Sequence, residues 1–285
     1  MRYHISSLNC IHSLNRILMI VTDLIGGIGN QLFQYCAGRS LAYTNHVDLK
    51  LNISGFDGYK LRRYALNHFN FDAEILSEDE QKTLTIYSEK SFRYDPDFFD
   101  LTDHTFIKGY WQSEKYFSMI KDVLLTELQI ITPPSKINEK LIDEIQSCNA
   151  VSLHIRRGDY ISDISTYKVH GICDLDYYDR CLKIVAEQIF DPHVYIFSDD
   201  PRWAIDHLRI DLKTTYVTHN DPEHHYEDLR LMSLCRHNII ANSSFSWWGA
   251  WLNKHQDKIV LAPKRWFRRD VPDASDLIPN HWLKV

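Results

Sequence analysis

The stretch ILMIVTDLIGGIGNQLFQYCAGRSLAYT, from Ile17 to Thr44, decides the fold class. Its first part, Ile17–Leu24, is an apolar run that predicts a buried strand, and Gly26–Gly29 predicts a tight turn. Asn30–Thr44 then carries apolar residues largely at helical spacing, which predicts a helix. A strand that leads through a glycine turn into a helix is the repeating unit of α/β proteins with parallel sheets.

The remainder of the chain continues this alternation, with Pro133-Pro134-Ser135 as its clearest interruption. Residues 54–105 have weak periodicity and receive no assignment. We expect an N-terminal extension over residues 1–18 and two α/β domains over 19–134 and 135–285, with Rossmann-like parallel sheets. Further strands are predicted at Val47–Ile53, Phe106–Tyr110, Ala150–Ile155, Val194–Phe197, Thr214–Val217, Asn238–Ala241 and Ile259–Leu261, and further helices at Ser113–Leu128, Lys136–Gln146, Asp176–Ile189, Pro201–Leu208, Tyr226–Cys235 and Phe245–Leu252.

Composition excludes several classes of protein. The 285 residues are 44% hydrophobic and 25% charged, which is a globular profile. With 32 Lys and Arg against 38 Asp and Glu, the formal net charge of −6 argues against nucleic acid as a partner of the whole surface. The sequence contains no apolar run of about 18 residues that would span a membrane, and its six cysteines form no C-x-x-C pair. We therefore expect a cytoplasmic protein with reduced thiols.

The turn Gly26–Gly29 is the first candidate ligand site. Glycines let a ligand approach the backbone, and the N-terminus of the next helix offers N–H groups to an anion. Leu32 stands where the dinucleotide fingerprint needs Gly or Ala, and the Walker A sequence is absent. A tight turn alone would explain the glycines, but two polar amides that open an apolar helix favour ligand contact. The candidates are Gly27, Gly29, Asn30 and Gln31.

The segment from His154 to Tyr160 places two arginines directly after a predicted strand. Guanidinium groups bind phosphate through a bidentate fork, and alternation along a strand puts His154 and Arg156 on one side. Arg156 is therefore the predicted phosphate ligand. Arg157 would point to the other side and pair with a local carboxylate such as Asp159.

Asp199 and Asp200 allow two interpretations. They could hold a divalent metal, as could Asp174 and Asp176, or they could cap the helix that begins near Pro201. Capping explains the residues with nothing left over, so we expect no metal site here. The loop from His219 to Asp228 lacks the spacing of structural zinc sites and predicts a polar loop, after which Asp228 could face a ligand from the next helix.

The sequence NSSFSWWGAW, from Asn242 to Trp251, follows a predicted strand and opens another helix with hydroxyl groups. It predicts a second anion-binding helix start, at Ser243, Ser244 and Phe245. Because each domain offers one such start, a diphosphate held between the two domains is the simplest interpretation. The aromatic residues of this helix are expected to pack in the core.

These motifs together resemble the bacterial α-1,2-fucosyltransferases of glycosyltransferase family 11. The resemblance runs from about Met19 to the C-terminus. It implies a GT-B architecture and an inverting transfer of L-fucose from GDP-β-L-fucose to the 2-hydroxyl of a terminal β-galactoside, with no metal or other cofactor. The matching segments are Gly26–Tyr35, Gly109–Phe117, His154–Tyr160, Tyr195–Pro201 and Asn238–Leu252.

The resemblance also implies roles for single residues. Arg156 would neutralise the β-phosphate as GDP leaves, and His154 and Asp228 would contact the nucleoside. Asp159 matches a motif position whose role is either chemical or to orient Arg157, and Asn30 would position the acceptor or the fucose. The donor-binding set is completed by Arg157, Ser243, Ser244, Phe245, Gly27, Gly29 and Gln31.

The implied partners are GDP-L-fucose and a galactose-terminated oligosaccharide or lipid-linked glycan, such as an O-antigen unit. The basic and aromatic segment Lys264–Arg269 could contact anionic lipid or acceptor, although a solvated face with Trp266 tucked inward explains it equally. Two alternatives stay open at this point: a GT-B transferase that uses another nucleotide sugar, and a non-catalytic glycan- or nucleotide-binding module.

Overall fold

The structure is a computed structural model that describes residues 18–58, 62–71, 73–81, 84–158, 160, 163–268 and 273–285. Its strands are β1 (Met19–Asp23), β2 (Asp48–Asn52), β3 (Glu74–Ile75), β4 (Thr85–Ser88), β5 (Thr105–Lys108), β6 (Asn149–Ile155), β7 (Pro192–Ser198), β8 (Lys213–Val217), β9 (His237–Ile239), β10 (Val260–Ala262) and β11 (Leu283–Lys284). Its α-helices are α1 (Ile28–Asn45), α2 (Glu78–Gln81), α3 (Lys121–Glu127), α4 (Lys136–Gln146), α5 (Ile164–His170), α6 (Leu175–Gln188), α7 (Pro201–His207), α8 (His225–Leu234) and α9 (Ser244–Leu252). Short 3-10 helices cover Ser54–Phe56, Leu66–His68, Pro96–Asp100, Glu114–Tyr116 and Ser118–Ile120.

The first sheet has the strand order β3-β2-β1-β5-β4 within the described residues, and its strands are parallel. The central strand β1 is apolar and buried, and its Val21 lies beside Lys50 of β2 and Phe106 of β5. The chain moves outward from β1 to β2 and β3 on one side, and β5 occupies the other side. The carboxyl ends of β1 and β5 therefore border the crevice where such sheets bind ligands.

The second sheet has the order β11-β10-β9-β6-β7-β8 among the described strands, again parallel. Numbered from β6 onward, this is the 6-5-4-1-2-3 order of doubly wound dinucleotide-binding sheets. The winding reverses between β6 and β9. The loops that follow these two strands are therefore the expected ligand-binding loops.

One apolar core joins the two halves of the molecule. Phe33 of α1 lies 4.4 Å from Trp247 and 4.9 Å from Trp248, measured between ring centroids, and these tryptophans belong to α9 in the second half. The indole N–H of Trp248 donates a hydrogen bond to the Gly29 carbonyl at 2.9 Å. The α9 aromatic residues are thus core residues, as the sequence predicts, and they hold α1 and α9 side by side.

The prediction of one continuous helix over Ser113–Leu128 is wrong, because the structure has two 3-10 helices and then α3 in this range. Ser113 caps a 3-10 helix by accepting a hydrogen bond from the Lys115 N–H, and α3 begins only at Lys121. The break is at Phe117, whose φ of −145° is not helical. Tyr116 and Phe117, the two residues at this break, are 1% and 0% exposed.

The unassigned region 54–105 contains the short strands β3 and β4, which lie at the two edges of the first sheet. Strands of two and four residues are too short to show a hydrophobic period.

Pro133 and Pro134 lie between α3 and α4, where the chain passes from the first sheet toward the second. No helix in the described ranges is long and apolar enough to cross a bilayer.

Candidate functional site

The two arginines that follow β6 have different partners. The Arg156 guanidinium lies 2.9 Å from the Asp199 carboxylate (Nη1 to Oδ2) and 5.3 Å from the centre of the Tyr160 ring. The Arg157 guanidinium stacks 3.6 Å from the centre of the Trp203 ring and lies 3.4 Å from Asp200. The carboxylate that pairs with Arg157 is thus Asp200, and Asp159 lies outside the described residues.

The capping role that the sequence predicted for Asp199 is wrong, because its carboxylate turns to the two arginines. Its Oδ2 pairs with Arg156, and its Oδ1 accepts the Arg157 backbone N–H at 2.8 Å. A Cβ on Gly158 would lie only 2.8 Å from Asp199 Oδ2, so glycine lets the carboxylate come this close. Asp199 therefore fixes the direction of the Arg156 side chain.

The capping interpretation is confirmed for Asp200, and Asp174, which the sequence offered only as a metal ligand, also caps a helix. Asp200 accepts a hydrogen bond from the Trp203 N–H at 3.2 Å and caps α7, and Asp174 accepts one from the Tyr177 N–H at 2.8 Å and caps α6. In the polar loop before α8, His224 bonds to Asp221 and His219 bonds to Asn138. The described residues contain no cluster of three His, Cys, Asp or Glu side chains suited to a metal.

His154 is buried at the end of β6, with 3% of its surface exposed. Its ring lies 5.5 Å from the Phe245 ring of α9, and its Nδ1 has no hydrogen-bond partner among the described residues. Burial, with a contribution from Arg156, lowers the pKa of His154 to about 3, so the imidazole is neutral at physiological pH. A buried nitrogen without a partner is costly, which favours a ligand that supplies one.

The N-termini of α1 and α9 meet at the crevice. A Cβ on Gly29 would lie 2.5 Å from the Ser244 carbonyl carbon and 2.6 Å from the Phe245 nitrogen, so only glycine permits this approach. Among the described side chains, none caps α1 at Gly27 or α9 at Ser243. No side chain therefore closes these helix starts to an anion, although the Asn30 N–H of α1 already donates a hydrogen bond to the Gly27 carbonyl at 2.9 Å.

Asn30 connects the two halves at this point. Its Oδ1 accepts a hydrogen bond from Ser244 Oγ at 2.8 Å and another from Gln112 Nε2 at 2.9 Å. Gln112 follows β5, so one amide joins the carboxyl edge of the first sheet to α9. The structure therefore gives Asn30 a bridging position between the halves.

Gln31 has a role that the sequence did not predict. Its Nε2 donates to the carbonyls of Gly26 and Arg63, both at 2.9 Å, and its Oε1 accepts the Ala65 N–H at 2.9 Å. The side chain is fully buried. With both ends of its amide bonded to backbone, Gln31 holds the 63–65 loop against the glycine turn, where donor contact was expected.

That loop carries Arg62, a residue missed by sequence reasoning. Its Nε lies 3.5 Å from the position of a Cβ on Gly27, and its charge contributes to the lowered pKa of His225 on α8. Arg62 thus places a cation from the first half beside the start of α1 and close to the second half. It lies in the region without periodicity, where the sequence offers no signal for it.

Asp228 lies on α8, three residues after His225 and therefore on the same face. The His225 ring is 6.2 Å from the Phe245 ring, which connects this face to His154. Asn220 donates a hydrogen bond to Asp228 Oδ1 at 2.7 Å. Burial nevertheless raises the pKa of Asp228 to about 7, against the opposing effect of that hydrogen bond.

The described part of the basic segment after β10 has two faces. Trp266 and Phe267 are buried, and Lys264, Arg265 and Arg268 are exposed. The Arg268 guanidinium lies 4.6 Å from the centre of the Tyr167 ring. This arrangement agrees with a solvated basic face over a tucked tryptophan, and Arg269 lies outside the described residues.

Comparison with known proteins finds a family whose sequence profile matches this chain. The sequence profile of Glycosyl transferase family 11 matches residues 12–284. An alpha-1,2-colitosyltransferase of Escherichia coli is 32% identical, with 94% of this chain and 99% of the relative covered. The O-antigen biosynthesis glycosyltransferase WbnK of Escherichia coli is also 32% identical, over 92% of this chain and 99% of the relative.

Among solved structures, Arabidopsis thaliana FUT1 in complex with GDP has a TM-score of 0.54 to this chain. The similarity covers 97% of this chain and 76% of that one, at 10% sequence identity. With the two parallel sheets, it confirms the predicted GT-B fold class.

Proposed function

Because this chain belongs to glycosyl transferase family 11, we propose that it transfers L-fucose from GDP-β-L-fucose to the 2-hydroxyl of a terminal β-galactoside. The product is an α-1,2-linked fucoside, formed with inversion at the fucose C1. The similarity to an O-antigen glycosyltransferase supports a surface glycan, free or lipid-linked, as the acceptor.

The observation that carries the proposal is the meeting of three anion-binding groups at the crevice between the sheets. The N-termini of α1 and α9 are in contact through Gly29 and Ser244, and Arg156 follows β6 on the same sheet edge as α9. A diphosphate would find backbone N–H groups from both halves and a guanidinium whose direction Asp199 fixes.

The nucleoside would lie along the face formed by α8 and α9. The ionised Asp228 carboxylate can accept hydrogen bonds from the N1–H and N2–H groups of guanine, which are adjacent donors. The neutral His154, with its unpartnered Nδ1, supplies a further polar contact beside Phe245. In this proposal the base lies at α8 and the diphosphate at the start of α9.

The chemistry follows from the movement of charge. As the bond from the fucose C1 to the phosphate oxygen breaks, the sugar becomes oxocarbenium-like and GDP gains negative charge. Arg156 and the two helix N-termini then stabilise the leaving group. The acceptor oxygen attacks C1 from the opposite face and gives up its proton to a general base. Asn30, between the halves, would orient the sugars there.

Colitose is a second candidate for the sugar that the donor carries. One relative, which is 32% identical over 94% of this chain, is an alpha-1,2-colitosyltransferase. Colitose is the 3-deoxy analogue of L-fucose. The same diphosphate and guanine contacts would serve either donor. Discrimination between them would come from contacts to the sugar 3-hydroxyl.

The test is product analysis with purified protein, lactose as acceptor, and either GDP-L-fucose or GDP-L-colitose, with and without EDTA. We expect a 2'-fucosylated product, identified by NMR of the linkage, at a rate that EDTA does not change. A faster colitosyl product would replace fucose by colitose as the donor. A protein that binds neither donor and forms no product would refute the proposal.

A further inference from the structure

We propose that a row of aromatic side chains beside the crevice binds the acceptor sugar. The inference rests on the proposed function and names the residues that would receive its acceptor. We call this row the aromatic surface. Its exposed end is Tyr110, and the more buried rings of Phe92, Phe267, His170 and Tyr160 continue it inward.

The outer part of the aromatic surface joins the two halves. The ring of Tyr110, which follows β5, lies 6.1 Å from the Phe92 ring at an interplanar angle of 14°. Phe92 in turn lies 5.0 Å from Phe267, which comes from the second half. Tyr110 is 36% exposed, so part of its side chain reaches the surface.

The inner part continues to the predicted phosphate ligand. The ring of His170, at the end of α5, lies 5.2 Å from Phe267 and 4.9 Å from the Tyr160 ring, on which it stacks at 19°. The Arg156 guanidinium lies 5.3 Å from the centre of the Tyr160 ring. The aromatic surface therefore leads from an exposed ring to the group that would hold the donor phosphate.

A galactoside suits this surface chemically. One face of the galactose ring is formed by C–H groups that pack against aromatic rings, and its hydroxyl groups stay at the edge. Aromatic side chains give large, rigid contact areas at low cost in side-chain entropy. Since a glycosyltransferase must hold its acceptor next to its donor, continuity with Arg156 identifies the ligand as the acceptor saccharide.

The backbone immediately after Tyr110 is held in an unusual conformation. Trp111 has φ of +54°, in the left-handed region that bulky residues avoid, and its side chain is fully buried. The Glu89 carboxylate accepts the backbone N–H groups of Tyr110 at 2.7 Å and of Trp111 at 3.0 Å. Strain of this kind persists where the surroundings impose it, often at ligand sites.

The same turn brings the chain back to the crevice. One residue after Trp111, the Gln112 side chain donates to Asn30 Oδ1 at 2.9 Å. Tyr110 and Gln112 are two residues apart, so their Cα atoms are at most about 7 Å apart. The exposed ring of Tyr110 is thereby fixed close to the bridge between the halves.

Replacing Tyr110 tests the inference. Tyr110→Ala is expected to raise the acceptor KM by roughly 3- to 10-fold, the scale of one aromatic contact, with the donor KM unchanged. Tyr110→Phe keeps the ring and is expected to restore the acceptor KM. Tyr43→Ala is the matched control, because Tyr43 is 48% exposed and lies near the opposite end of α1.

Glu89 acts as a positioning residue in this scheme. Glu89→Gln replaces one carboxylate oxygen by an amide N–H that opposes a backbone N–H of the turn. It is expected to raise the acceptor KM while kcat at saturating acceptor and the donor KM stay unchanged. A merely structural role would lower kcat and the stability together.

The outcomes separate this inference from the proposed function. If wild-type protein turns over neither GDP-L-fucose nor GDP-L-colitose, the proposed donor fails, and binding of lactose in the presence of GDP, followed by saturation-transfer NMR, still tests the surface. Loss of that lactose signal in Tyr110→Ala but not in Tyr43→Ala supports the inference. An unchanged signal, or an unchanged acceptor KM in an active enzyme, overturns it.

Discussion

The Arg156 guanidinium lies 2.9 Å from the Asp199 carboxylate, and this ion pair orients a side chain that has several N–H donors. A group that meets the charge developing on the leaving phosphate contributes more to the transition state than to substrate binding. Asp199 is therefore expected to act through Arg156, by fixing where the guanidinium points.

Arg156→Ala is expected to lower kcat by roughly 100- to 1,000-fold, the usual effect of removing one such donor. Steady-state kinetics with saturating donor and acceptor measure this loss. Arg202→Ala is the control, since the Arg202 side chain is 92% exposed and pairs only at long range, 3.8 Å, with Asp206. Turnover of Arg156→Ala near that of the control would remove Arg156 from the phosphate site.

The Asp228 carboxyl should make donor binding depend on pH. Its pKa is raised to about 7 by burial, so the fraction that can accept hydrogen bonds from guanine falls as the pH drops through 7. The donor KM is expected to rise about 10-fold from pH 8 to pH 6. Measured donor KM values over this range check it.

Asp228→Asn is the control for that pH profile, because its side chain does not titrate. The neighbouring His225 has its pKa lowered from 6.5 by burial, so it stays neutral over most of this range. A variant with a higher, pH-independent donor KM agrees with the assignment. A pH dependence that survives in Asp228→Asn assigns the step to another group.

At the scale of elements, the contact between α1 and α9 builds the proposed anion site. Each helix begins at a strand's carboxyl end, where its N–H groups carry the positive end of the helix dipole. Two such ends repel each other weakly, so packing has to hold them together. Phe33, Trp247 and Trp248 provide that packing.

Gly29→Ala is expected to lower the free energy of unfolding by about 1–3 kcal/mol, although alanine is the better helix former. The added Cβ would lie 2.5–2.7 Å from Ser244 and Phe245, and backbone atoms cannot move aside as a flexible side chain can. Urea denaturation measures the loss. Gly58→Ala, with no atom within 4 Å of the new Cβ, is the control. Equal stability of both variants would contradict the close helix contact.

Long alternating elements were predictable from the sequence, and short ones were not. The strands at Ala150–Ile155 and Val194–Phe197 were correctly predicted because both are mainly apolar, which is typical of a strand buried on both faces. The two-residue strand β3 carries no such pattern, and the apolar residues of Ser113–Leu128 give no signal for the break at Phe117. Propensity along the chain contains neither piece of information.

At the scale of the whole molecule, one apolar core extends from the first sheet through α1 to α9 and the second sheet. The two halves share this core, so unfolding one exposes the buried aromatic rings of the other. We expect one cooperative unfolding transition. Calorimetry and tryptophan fluorescence should give the same midpoint.

Trp247→Ala is expected to lower the stability by about 3–5 kcal/mol and to shift that single transition as a whole. Trp247 is fully buried and contacts Phe33 across the boundary between the halves. Phe190→Ala is the control, since Phe190 is 88% exposed. Two transitions, of which only one responds to Trp247→Ala, would show that the halves unfold independently.

The sequence by itself determined the alternating α/β class, and it predicted the two anion-binding helix starts and Arg156 as the phosphate ligand. Each depends on local rules: the hydrophobic period, the glycine turn, and the chemistry of residues that follow a strand. Only the tertiary structure decided that Asp199 holds Arg156, that Gln31 bonds to backbone and that Arg62 reaches the crevice. These partners are 32 to 43 residues apart along the chain and meet through packing, which no local pattern encodes.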